Sequence, residues 1–161
     1  MRDLMLWMES SHLGHVMRES GPWTYAVVNL THIVGVAIFF GAVLVLDLRL
    51  LGLWKRVPLS MVATVTQPTL VVGLCLALTT GVALLATKAT DYTSNPFIYI
   101  KFPAIAVGLA NAMVLRQSRA WQARAARELS LGERRALALL GAVSLVSWSV
   151  AVAAGRLVGY W

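Results

Sequence analysis

Charge is what this sequence has least of. Of its 161 residues, 13% are Asp, Glu, Lys or Arg, against roughly a quarter in a soluble domain. With 58% of residues hydrophobic, polar surface is too scarce for a water-solvated fold. Most of the chain is therefore expected to be solvated by lipid, as one bundle without a separate soluble domain. Carboxylates are few, seven in all, which speaks against a two-acid hydrolase. The single cysteine, Cys75, excludes an intrachain disulfide; in its apolar segment it reads as a buried, inert thiol. Walker, Gly-x-Ser-x-Gly, Cys-x-x-Cys and His-Glu-x-x-His motifs are all missing, so hydrolysis is not expected. Alternating ten-residue segments are missing too, which excludes a membrane barrel. Residues 1–19 are interrupted by Asp3, Glu9, Arg18 and Glu19 and lack the apolar core of a signal peptide; they are expected to be retained.

What remains is four long apolar runs, at about residues 23–46, 61–87, 96–115 and 136–159. Each is long enough to cross a hydrocarbon core of about 30 Å as a helix. The expected fold is all-α: a polytopic membrane four-helix bundle, residues 21–161, preceded by an amphipathic interfacial helix over residues 1–20. Pro22 suits a first helical turn, and Pro68 predicts a kink or a late start in the second span. No repeat relates the two halves, and no paired broken helices of the transporter kind are visible.

The net charge of +7 does not point to nucleic acid, because the basic residues fall between spans. Arg49, Lys55 and Arg56 follow the first span, and Arg116, Arg119, Arg124, Arg127, Arg134 and Arg135 separate the third from the fourth. The positive-inside rule then places these loops in the cytoplasm and both termini outside, in a bacterial inner membrane. Residues 121–127 read as a helical continuation of span three, either solvated or lying on anionic lipid.

Three histidines are present, and only His32 lies within a span. An imidazole at that depth is costly without a purpose, and imidazole is a common ligand of haem iron and copper. Tyr25, Asn29 and His32 share one helical face, expected to turn inward, with Gly35 leaving room for a flat cofactor or a close helix. A hydrogen bond to another span would satisfy His32 equally well. Lys101 and Arg156 are expected in the same membrane half, where they would hold an anionic ligand such as haem propionates or a quinone head, or snorkel to the surface. Lys101, Ala104, Gly108 and Asn111 form a small-and-polar stripe suited to helix packing. Asp47 and Arg49 read as a clamp, paired with each other or with the basic loop. On the N-terminal segment Met1, Leu4, Met5, Met8, His12 and His15 would share one face. That face would meet lipid or the bundle, give a second axial ligand through His12 or His15, or capture copper.

The set His32-Ile33-Val34-Gly35, Asp47-Leu48-Arg49-Leu50-Leu51-Gly52, Asn95-Pro96-Phe97 with Lys101, Asn111-Ala112, and Ala154-Gly155-Arg156 resembles an uncharacterised four-helix bacterial inner-membrane family. The likeness covers most of the chain from about Trp23. That family looks distantly like copper-resistance D and cytochrome b561-type bundles, where span histidines bind haem, an analogy of fold. Some relatives carry a histidine after the Asn-Ala of span three, where this chain has Met113-Val114-Leu115.

Three functions are therefore expected to compete. The first is a small b-type cytochrome or redox subunit with haem b near the outer face. His32 would be its axial metal ligand, His15 or His12 the second, Lys101, Arg156 and Asn29 would bind the cofactor, and quinone would be a redox partner. The second is a cofactor-free structural subunit, a homo-oligomer or part of a larger membrane complex. The third is copper handling at the outer face through Met5, Met8, His12 and His15.

Overall fold

The computed structural model describes residues 2–160, and among them no strand occurs. Two short helices, α1 (Arg2–Glu9) and α2 (His12–Glu19), precede the first long one, α3 (Gly21–Leu50). Then come α4 (Leu59–Thr87), a 3-10 segment (Ala89–Ser94), α5 (Pro96–Gln117), the short α6 (Arg119–Ala123), and α7 (Leu131–Leu157) with a 3-10 end (Val158–Tyr160). Helices α3, α4, α5 and α7 are long and apolar enough to cross a membrane. At 1.5 Å per residue, the 30 residues of α3 extend about 45 Å, beyond the hydrocarbon core.

Local sequence sets the boundaries. Gly21 (φ 80°) turns α2 into α3, and Pro22 follows in the first turn, where its missing N–H costs nothing. Gly52 (φ 103°) reverses the chain after α3. Asn95 caps α5 through Phe97 N (3.0 Å), with Pro96 next. Ser130 and Glu133 form a reciprocal capping box at the start of α7. Pro68 does not delay α4, which begins at Leu59 and carries the proline inside it.

Helix α4 lies along α3, α5 along α7, and α3 joins the pairs by packing on α7. Glycines let the backbones approach. A Cβ on Gly73 would stand 2.5 Å from Phe39 N, and one on Gly35 would stand 2.8 Å from Ala77 N. One core cluster sits near the arginine-bearing loops, built on Leu46, Leu50, Ala63, Leu115, Trp121 and Leu137. The other lies mid-bundle on Phe39, Val43, Ala104, Trp148 and Ala151. There Phe39 meets Trp148 edge to face, centroids 4.5 Å apart at 81°, while Trp148 covers Gly108. Because α4 has one long partner, most of its outer surface is left for lipid. Cys75 is exposed on it rather than buried.

The N-terminal segment breaks where one helix was expected. Ser11 ends α1 by donating to Met8 O (2.6 Å) and starts α2 by accepting from Gly14 N (3.2 Å). The expected Met/His face does not survive this break. Met5 and Met17 are buried, Leu4, His12 and His15 are exposed, and Met1 lies outside the described residues. The pair is clamped onto the α4–α5 connection: Glu9 Oε2 accepts from Thr90 N (2.8 Å) and Thr90 Oγ1 (2.6 Å). Arg18 donates to Thr87 O (3.3 Å) and Glu9 O (2.9 Å). Beyond span three, Ser118 interrupts the expected continuation. It caps the five-residue α6, which buries Trp121 under Arg124 (4.1 Å from Cζ to the ring centroid).

Candidate functional site

Between the mid-bundle cluster and the end that carries both termini lies a layer of polar and small residues. His32 stands two turns above Phe39 on α3, Lys101 one turn above Ala104 on α5, and Gly155 one turn above Ala151 on α7. The His32 ring lies over Gly81, where a Cβ would come 3.0 Å from Cε1. Its Nδ1 is 3.1 Å from Thr80 Oγ1. The same hydroxyl donates to Leu76 O, and the backbone of Ala77 offers the ring a further hydrogen bond. A metal-binding histidine is oriented in this way, as is one that only joins two helices.

Lys101 lies half-buried against Gly155, Nζ 3.4 Å from the position of a Cβ there, and its charge acts on His32. Asn29, one turn nearer the termini, is half-buried. Arg156 does not join them. It is exposed, donates to the Tyr160 hydroxyl and stacks over that ring, 4.7 Å from Cζ to the centroid. His12 and His15 are exposed on α2, which turns Gly14 and Met17 inward instead. Among the described residues, no three His, Cys, Asp or Glu side chains gather as a metal-binding group.

Asn111 Nδ2 donates to Leu140 O (2.9 Å), tying α5 to α7. Asp47 is 2% exposed, with the Ser144 hydroxyl beside its carboxyl and Oδ2 unpartnered. Of the two pairings expected, Asp47 with Arg49 is not formed, while Arg49 does bond the basic loop. Arg49 Nε donates to Val57 O (2.9 Å), and among the described residues the ion pair is Arg127–Glu133 (2.6 Å). Helix geometry explains this: two residues apart, Asp47 and Arg49 point to different faces.

Thr80, Glu9, Thr90 and Arg18 escaped the sequence reading. The hydrogen bonds of Thr90 hold the Glu9 carboxyl below the ordinary carboxylate range. Burial, and then the neighbouring Tyr25 and Asp91, raise the Tyr92 hydroxyl above its ordinary value. Tyr92 and Tyr25 line a cavity of about 660 Å³ at the termini end, together with Arg18, Lys88 and Leu84.

Four apolar spanning helices with a polar layer in one half define a small polytopic helical membrane protein. Over residues 4–161 the chain matches the family described as "Family of unknown function (DUF6644)", and it belongs to that family. No curated protein and no solved structure matches it.

Proposed function

We propose that the protein is a small electron-transfer subunit of a bacterial inner membrane, with its redox site in the layer around His32. The observation that carries this reading is His32 itself, a half-buried imidazole with Nδ1 held by Thr80 and with the charge of Lys101 acting on it. The donor set fits one axial position of haem b. His32 Nε2 would ligate the iron, Lys101 would neutralise a propionate, and Asn29 would offer a polar edge. When bound, such a group supplies one-electron transfer. Arg156, turned to Tyr160, and the exposed His12 and His15 stand outside this set, so a sixth ligand would come from another subunit or be lacking. The basic loops support an orientation with this layer towards the outer face, where quinone is the natural electron partner within the bilayer.

A second reading, a cofactor-free assembly subunit, draws on the same contacts. His32–Thr80 joins α3 to α4 and Asn111–Leu140 joins α5 to α7, as interhelical glue does. Absorption spectra of the purified protein, oxidised and reduced, separate the two. A Soret band lost in His32→Ala supports the redox subunit. A colourless, iron-free protein whose assembly survives His32→Ala overturns it.

A further inference from the structure

The cavity at the termini end belongs to neither reading. It opens between α2, the start of α3 and the end of α4, with a volume of about 660 Å³. Its polar rim carries Arg18 and Lys88, and no carboxylate lines it. Arg18 spends two hydrogen bonds on Thr87 O and Glu9 O, which fixes the guanidinium while leaving most of its five N–H donors for a ligand. Lys88 is exposed just beyond the last turn of α4, where the helix dipole favours a cation. Tyr92 and Tyr25 add two phenol hydroxyls to the lining, each able to donate a hydrogen bond. The floor is apolar, formed by Met17, Pro22 and Leu84. The adjoining Trp23 is 82% exposed, as befits an aromatic at the level of lipid head groups.

Two cations and two phenols over an apolar floor, at head-group depth, match an amphiphile with an anionic phosphodiester head. We propose that this cavity is a binding site for an anionic phospholipid, its phosphate held by Arg18, Lys88 and Tyr92 and its chains passing over Leu84 into the bilayer. The site is independent of any cofactor at His32.

Native mass spectrometry of the whole protein, equilibrated with equimolar dioleoyl phosphatidylglycerol and dioleoyl phosphatidylcholine, tests this. The wild type should retain phosphatidylglycerol in preference. The K88Q variant should lose roughly fivefold of that preference, as expected for one basic residue near a lipid surface, and adding Y92F should lose more. Lys88 is exposed, so helicity by circular dichroism should not change. Equal retention of the two lipids by the wild type, or an unchanged preference in the double variant, overturns the proposal. So does displacement of phosphatidylglycerol by inorganic phosphate alone, which would show that the lipid chains contribute nothing.

Discussion

Thr90 gives both its backbone N–H and its hydroxyl to one oxygen of Glu9, at 2.8 and 2.6 Å, across a sequence separation of 81 residues. An ionised carboxylate accepts two donors on one oxygen well, whereas a protonated one loses acceptor strength. Glu9 titrates below its ordinary value of 4.5. A depressed carboxylate contributes stability above its unfolded value, and that contribution is lost as pH falls through the folded one. The N-terminal helices should therefore stay docked at neutral pH and loosen below about pH 4.5. Glu9→Gln should loosen them at every pH. Hydrogen exchange of α1 and α2 between pH 3 and 7, on the order of one-unit steps, checks both outcomes.

Gly73 and Gly41 form a matched pair for testing the α3–α4 contact. A Cβ at Gly73 meets Phe39 N at 2.5 Å, while one at Gly41 meets nothing within 4 Å. Gly73→Ala should cost about 1–3 kcal/mol through forced backbone shifts. Gly41→Ala should be neutral or slightly stabilising, since alanine is the better helix former. Unfolding in mixed micelles gives both values, and equal effects would contradict the packing.

Trp148 fills the space beside Phe39 and over Gly108 at mid-bundle. Trp148→Ala should cost about 3–5 kcal/mol, and Trp148→Phe clearly less, because only part of the volume is lost. Thermal midpoints of the two variants in one detergent settle the order.

Thr80→Val keeps the shape of the side chain and removes the hydrogen-bond partner of His32 Nδ1. The interhelical hydrogen bond should be worth about 0.6 kcal/mol, the average for such bonds in a membrane protein. Stability should fall by that small amount. With haem bound, the same variant should shift the reduction midpoint, because the orientation and basicity of the imidazole change. Lys101→Met should lower the affinity for haem while leaving the fold intact. Redox titration of the purified protein separates a positioning role for Thr80 from a purely structural one.

The four spans were legible because lipid demands a long apolar run for each, and Pro22 marked a helix start by its own chemistry. Partners across helices were not. Thr80 is one of several threonines on α4, and only the packing of α3 on that helix selects it for His32. The N-terminal break was missed because the Met/His spacing fits one helix, while Ser11 has the chemistry to begin another. Arg156 looked like a partner for Lys101 by depth alone. Its rotation about α7, towards Tyr160 and away from the interior, is a matter of azimuth that depth does not report. Cys75 seemed buried because its neighbours are apolar, which in a bilayer fits a lipid-facing side chain equally well.

The Glu9–Thr90 clamp also imposes an order on biogenesis. Glu9 leaves the ribosome 81 residues before its partner, roughly 4–16 s earlier at ordinary synthesis rates. Throughout that interval α1 and α2 lack their main docking partners, α4 and the turn after it. They close over the bundle only once α4 has crossed the membrane and the turn after it has formed. A chain arrested between α3 and α4 should therefore display a protease-sensitive N-terminal segment that docking protects in the finished protein.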